Sequence, residues 1–218
     1  MSMLFVAVGL TPPQIEKLRE RPELVSDVVY IANDEDLEAW YAEEVRALTD
    51  EQRERAAMGE KERLSSENYQ RWAAELAQAH QRLAELGPLE HPLGLNKMWH
   101  ILHYAIAGDR GLTGGPGDVI FSGDEIGEDM TYGPARLIDP AETAYYSRHL
   151  EGLDLSELEA GLNFDVMREA EVYSVPRGPR SAEYDAWLRK NFARSFLRLQ
   201  DYLSAMSGKG NGLLMWVS

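Results

Sequence analysis

The chain has 218 residues, 44% hydrophobic and 27% charged, which is enough to bury the core of one domain. Its 37 acidic residues outnumber its 22 basic ones, and the formal net charge of −15 argues against nucleic acid or a membrane as partner. The absence of cysteine excludes disulfides, thiolate metal sites and a cysteine nucleophile. We expect a single domain over 1–218, with a helical elaboration at about 35–86.

The first element is an apolar strand at about residues 4–8. The segment Met1–Gly9 lacks the basic start and the length of a secretory signal, so we expect a cytoplasmic protein. Thr11-Pro12 then predicts the start of a helix that ends near Pro22. Two charged helices are predicted next, at about 34–45 and 49–64.

A longer helix is predicted over 66–86, capped by Ser65 or Ser66. Its apolar and small residues alternate at three- and four-residue spacing, as in a heptad seam. They are Tyr69, Trp72, Leu76, Ala79, Leu83 and Leu86. This seam could bind a partner or a second copy, but we favour packing within the chain, with Trp72, Leu76 and Leu83 buried.

A helix that carries two histidines is predicted at about 95–107. A helical projection gives it a core-facing stripe of Leu95, Met98, Trp99, Leu102, Ala105 and Ile106. The flank beside this stripe holds Asn96, His100, His103 and Ala107. His100 and His103 could share a ligand, a metal or a water with Asp109 or a nearby acid. We favour structural histidines at the core edge, and predict no metal and no cofactor.

The segment 108–117 contains five glycines, which suits a mobile loop or a close backbone approach. It has neither the phosphate-loop ending nor dinucleotide-binding spacing. Short strands are predicted at 118–122 and 135–138, separated by an acidic turn region over 123–133 that lacks a calcium-loop pattern. Asp139-Pro140, with Glu142 following, predicts a helix start.

The C-terminal third is predicted to be mostly helical. We expect a short helix over 155–162, an ordered connection over 164–173, a long helix from Ser181 to Gly208, and a strand at 213–217. Periodicity places the aromatic residues of the long helix, Trp187 included, in the core. The predicted fold class is α+β, with a small mixed sheet formed by both chain ends and central strands and covered by several helices.

Several motifs together resemble one known family. They are Asn96-Lys97-x-Trp99-His100-x-Leu102-His103-Tyr104, Gly108, Gly123-x-x-Ile126-Gly127, Tyr132-Gly133-Pro134-Ala135-Arg136 and Pro140. The chain resembles the YfbM-like family of small bacterial proteins of unknown function over most of its length, least so between about Glu35 and Leu86. The resemblance implies an α+β domain and no particular reaction.

Two classes of function remain open. The first is a non-catalytic binding protein for a partner protein or a small ligand, with a basic partner suited to the acidic surface. The second is a hydrolase or lyase with His100 or His103 as general base and Arg136 as anion anchor. The candidate ligand-binding residues are Asn96, His100, His103, Asp109, Tyr132 and Arg136. We favour binding over catalysis, and a monomer over a homodimer.

Overall fold

A computed structural model of the protein describes residues 3–33, 67–108, 118–130 and 132–217. Its described strands form one five-stranded sheet in the order β2-β1-β5-β4-β3. The strands are β1 (Phe5–Leu10), β2 (Leu93–Asn96), β3 (Asp124–Asp129), β4 (Pro134–Ile138) and β5 (Gly212–Val217). The α+β class and the contribution of both chain ends and the centre are confirmed. All four pairings are antiparallel, whereas the sequence predicted a mixed sheet.

The two chain ends pair with each other at the centre of this sheet. β1 and β5 run antiparallel from Phe5 opposite Val217 to Leu10 opposite Gly212. Every residue of both strands is buried. This confirms the prediction that the two terminal apolar runs belong to one sheet, where each strand satisfies the backbone groups of the other.

Helices pack on both faces of the sheet. In chain order they are α1 (Pro12–Glu20), a 3-10 turn η1 (Pro22–Leu24), α2 (helical over 25–33), α3 (Glu67–Leu83), α4 (Trp99–Ala107), α5 (Pro140–Glu151), α6 (Leu155–Gly161), α7 (Phe164–Glu169) and α8 (Ala182–Gly208). Val6 and Val8 point from β1 into a core shared with α1, α2 and α3. Phe5 and Ala7 point the other way, into a core shared with α4 to α8. The described residues therefore form three layers, with the sheet in the middle.

The predicted helix starts at Asp139 and Ser181 are confirmed. The Asp139 carboxylate accepts from the Glu142 amide at 2.8 Å, and the Glu142 carboxylate accepts from the Asp139 amide at 2.9 Å, which completes a capping box. The Ser181 hydroxyl accepts from the Tyr184 amide at 3.2 Å and caps α8. These side chains satisfy backbone donors that a helix leaves unpaired.

The helix with the heptad seam packs within the chain over its C-terminal half. Ala79 and Leu83 on α3 are buried in the core shared with α1 and α2, whereas Leu76 is only partly buried and Trp72 half-buried. Three residues beyond the end of the helix at Leu83, Leu86 is also buried. The two helices predicted at 34–45 and 49–64, and the cap at Ser65 or Ser66, lie outside the described residues.

The predicted start of the histidine helix is wrong by four residues. Residues 93–96 form β2 instead, and Asn96 ends it with a left-handed backbone, φ +48°. The helix begins at Trp99. Asn96 therefore does not share a helical flank with His100 and His103, because it lies in β2 and a turn separates it from α4.

The strand predicted at 118–122 is also wrong. Residues 119–121 form a turn instead, with Val119 and Ile120 both buried. The acidic region predicted as a turn contains β3 instead, an edge strand over Asp124–Asp129. An edge strand can be this polar because it faces solvent on its free side.

One side chain of the long helix was wrongly placed in the core. Trp187 is 52% exposed and stacks on Tyr184, with ring centroids 5.4 Å apart, while Phe192 is fully buried as predicted. No helix of the described residues is long and apolar enough to span a membrane.

Candidate functional site

Helix α4 fixes His100 beside an aromatic group. Trp99 is buried and its indole Nε1 donates to the Met3 carbonyl at 3.3 Å. The His100 ring stacks on the Trp99 ring with centroids 4.7 Å apart. The Tyr173 ring lies on Trp99 as well, at 6.5 Å. These contacts hold His100 at the boundary of the core.

The backbone defines the protonation of one His100 nitrogen. The Tyr173 amide donates to His100 Nδ1 at 2.9 Å, so Nδ1 is the unprotonated acceptor. In the neutral ring the proton then sits on Nε2.

His103 lies in the core and faces a buried carboxylate. Its side chain has no exposed surface, and Nδ1 is 3.8 Å from Asp118 Oδ1. The Asp118 side chain is 5% exposed. This separation is longer than a hydrogen bond and corresponds to an electrostatic contact. The edge of the Phe121 ring completes one wall of the His103 site, with centroids 5.2 Å apart.

Two hydroxyl groups extend the polar environment of Asp118. Burial, opposed by a hydrogen bond with Ser122, raises the pKa of Tyr146 above its ordinary value, and the charge of Asp118 adds to the rise. The Ser122 hydroxyl also donates to the Val119 carbonyl at 3.1 Å. We call His103, Asp118, Ser122 and Tyr146 the buried polar cluster. The cluster combines a carboxylate, an imidazole and two hydroxyl groups, but it lies largely below the protein surface.

Arg136 is held by the neighbouring strand. Its Nη2 lies 2.5 Å from Glu125 Oε1, and its Nη1 donates to the Gly123 carbonyl at 3.3 Å. Arg136 and Glu125 are directly opposite each other in the β3–β4 pairing. Arg136 therefore forms a salt bridge with Glu125 of the neighbouring strand.

Of the remaining predicted site residues, Asn96 and Tyr132 do not belong to the buried polar cluster. Asn96 is exposed at the end of β2, and Tyr132 is 42% exposed in the turn between β3 and β4. Asp109 lies outside the described residues. Of the five predicted residues that the structure describes, His103 alone belongs to the cluster, and its carboxylate partner Asp118 was missed.

Asp118 carried little sequence signal. It stands directly before Val119 and Ile120, so it was interpreted as the first residue of a strand. No group of three or more metal-ligating side chains occurs among residues 3–33, 67–108, 118–130 and 132–217.

The comparisons with known proteins identify a family. The model of a family described as a domain of unknown function, DUF1877, matches residues 1–216. The chain belongs to the DUF1877 family.

A solved structure gives the same fold for a relative of the DUF1877 chain. The DUF1877 chain is similar to the crystal structure of YfbM from Escherichia coli, a protein of unknown function. The TM-score is 0.58, and the sequence identity is 16% over 99% of each chain. The YfbM-like resemblance seen in the sequence is thus confirmed. At this identity the likeness establishes the fold and no activity. Comparison with curated proteins gave no match.

The DUF1877 chain also presents an acidic surface at the edge of its sheet. β3 is the last strand of the order, and four of its six residues are exposed carboxylates: Asp124, Glu125, Glu128 and Asp129. Asp124 is 3.9 Å from Arg19 on α1, and Glu125 pairs with Arg136. We call these four residues the acidic edge. Among the described residues, no strand pairs with the outer side of β3.

Proposed function

We propose that this DUF1877 protein is a non-catalytic binding protein that recognises a basic partner protein through the acidic edge. The observation that carries the proposal is the position of β3, an exposed strand at the end of the sheet with carboxylates along it. An edge strand offers backbone donors and acceptors to an added strand. The side chains on either side then decide which strands are accepted.

Charge supports a basic partner. The chain as a whole carries a net charge of −15, so its field attracts a cationic protein and speeds the encounter. The acidic edge concentrates that charge where the backbone is available. The same four carboxylates repel the β3 strand of a second copy, which supports a monomer over a homodimer paired through this edge.

The burial of the histidine site favours binding over catalysis. His103 has no exposed surface, and Arg136 is held by Glu125. A hydrolase or lyase would need its general base within hydrogen-bond reach of a substrate and its anion anchor available. The buried polar cluster is better suited to orienting α4 than to turning over a substrate. We also propose a cytoplasmic location, with which the cysteine-free composition is consistent.

The test uses a labelled peptide of alternating lysine and valine, which is basic and extended. We expect it to bind the wild-type protein, and expect a double charge reversal in the acidic edge, Asp124→Lys with Glu128→Lys, to weaken binding at least about tenfold. A matched control reverses Glu20 and Glu169, two exposed acids on α1 and α7, and should leave most of the affinity.

A second peptide separates strand addition from simple charge attraction. N-methylation of alternate backbone amides on one side of the peptide removes the donors that an added strand needs, and leaves its charge unchanged. Two peptides are compared, each methylated on a different side. We expect binding to be lost when the methylated amides face β3 and to be kept when they face away from it. Equal weakening by the edge and control reversals, or no effect of methylation, would reject β3 as the binding surface.

A further inference from the structure

The outward face of α8 carries a run of basic residues over 186–200. Residues 186–200 contain four basic residues and no acidic one, in a chain with 37 acidic residues. Arg189 lies against the carbonyls of Glu159 and Leu162. The other three, Lys190, Arg194 and Arg198, are exposed. Such a group of cations is a local exception to the negative electrostatic potential that the net charge predicts for this protein.

Helical geometry places the three cations on successive turns of the helix, each about 40° further around the axis than the one before. They are spaced by four residues, and thus by about 6 Å along the axis, so the row is about 12 Å long. The buried side of α8 carries Leu188, Phe192, Phe196, Leu199 and Leu203. The row lies on the opposite side of the helix, away from the sheet. Among the described residues, no carboxylate forms a salt bridge with Lys190 or Arg198.

Apolar side chains flank this row. Trp187 is 52% exposed near its N-terminal end, and Leu197 is 45% exposed beside Arg194 and Arg198. Stacking on Tyr184 restrains the Trp187 ring, and the Asn191 side chain donates to the Trp187 carbonyl at 2.8 Å. An exposed, restrained tryptophan next to cations is a common composition of binding hot spots, because it contributes contact area at low entropic cost.

We propose that this α8 face, made of Trp187, Lys190, Arg194, Leu197 and Arg198, docks an acidic amphipathic helix of a partner protein. A helix with carboxylates every four residues presents charges at the spacing of the cationic row. An apolar residue on the same helix can then cover Trp187 or Leu197. Nucleic acid and anionic membrane also carry negative charge, but their extended charge is repelled by a protein of −15. This inference is independent of the acidic edge.

The experiment uses the full chain and a labelled helical peptide built from alanine, leucine and glutamate, with glutamate at every fourth position. We expect fluorescence anisotropy to show binding that weakens with salt. The triple variant Lys190→Glu, Arg194→Glu, Arg198→Glu should lose at least about tenfold in affinity, and Trp187→Ala about fivefold or more. The matched control reverses Arg71, Lys97 and Arg148, three exposed basic residues elsewhere, and should keep most of the affinity.

Two further probes make the result specific. A peptide of the same composition with a central proline cannot form the helix and should bind much more weakly. Equal binding of the proline peptide would overturn the helical partner. Unchanged binding after the α8 reversal would overturn the site. Tighter binding of a DNA duplex, or of vesicles with a quarter of anionic lipid, would replace the acidic helix by those ligands. Thermal melting confirms that each variant is folded.

Discussion

Asp27 and Arg82 form a two-point ion pair that joins α2 to α3. Arg82 Nε lies 2.8 Å from Asp27 Oδ2, and Nη2 lies 2.6 Å from Oδ1. The Asp27 side chain is only 10% exposed, whereas Arg82 is 53% exposed. Because the carboxylate is the buried partner, loss of the arginine leaves a charge with poor access to water.

We therefore expect Arg82→Ala to lower the free energy of unfolding. The measurement is urea unfolding at neutral pH. Arg71→Ala, on the exposed face of the same helix, should change stability by less than about 0.5 kcal/mol. If the two substitutions cost the same, the ion pair makes no specific contribution to the docking of α3.

Removal of β5 should unfold the whole domain. This strand lies between β1 and β4 and hydrogen-bonds to both. A chain that ends after Gly212 would leave two buried strand edges unsatisfied, which costs far more than fraying of a terminus. The near-ultraviolet circular dichroism spectrum of the truncated protein should show loss of tertiary structure. A cooperative melting transition in the truncated protein would contradict this expectation.

Two glycines with positive φ should respond differently to alanine. Gly123 has φ +88°, and an added Cβ would lie 2.4 Å from the Leu137 carbonyl oxygen, on the neighbouring strand β4. Gly133 has φ +104° and no atom within 4 Å of the added Cβ. We expect Gly133→Ala to cost about 1–2 kcal/mol from backbone strain, and Gly123→Ala at least about 2 kcal/mol more from the clash. Equal losses of unfolding free energy would exclude the clash.

Tyr202 should make stability fall at alkaline pH. Its hydroxyl accepts from the Gly9 amide at 2.8 Å and donates to the His91 carbonyl at 3.0 Å, and burial raises its pKa far above the ordinary value. Unfolded tyrosine loses its proton near pH 10, as model peptides do, while the folded side chain keeps it. The contribution is therefore complete below about pH 10 and is lost as the pH rises toward the folded pKa.

The measurement is the free energy of unfolding between pH 8 and pH 11. Tyr202→Phe should be less stable than wild type at pH 8, by about 1–2 kcal/mol, because the Gly9 amide loses its acceptor. Its stability should decline less steeply above pH 10. Tyr145→Phe, which removes an exposed hydroxyl, is the control and should follow the wild-type profile.

The two histidines of α4 should differ in their structural importance. His103 is fully buried beside Asp118, so His103→Ala creates a cavity and exposes a buried carboxylate to an apolar gap; we expect a loss of about 2–4 kcal/mol. His100 is half-buried, and His100→Ala should cost about 1 kcal/mol through the bond to Tyr173. Thermal melting of both variants gives the ranking, and the reverse order would place the structural role on His100.

The sequence predicted correctly those elements that depend on neighbouring residues or on a strongly apolar composition. Three such features were predicted correctly: the cap at Ser181, the capping box at Asp139, and the pairing of the apolar runs around Phe5 and Val217. β3 could not be predicted in this way. Its strand conformation comes from hydrogen bonds to β4, and its own residues are those of a turn.

The candidate site was less predictable for the same reason. His100 and His103 were recognised, but their different depths depend on what packs over each ring. Phe121 closes over His103, and its position follows from a turn that the sequence presented as a strand. Asp118 becomes a partner of His103 only through that turn. Periodicity describes one helix at a time and contains no information about the segment that covers it.

The pairing of Phe5 with Val217 also has a consequence for how the molecule is made. The central strand pair joins segments about two hundred residues apart, which is the type of contact that slows folding most. During synthesis β1 emerges early, and α1 can form beside it within microseconds. The side of β1 that meets β5 stays unpaired until about two hundred further residues have been made. Until then the nascent protein exposes an unpaired apolar edge, and this interval is when a chaperone would have most to protect.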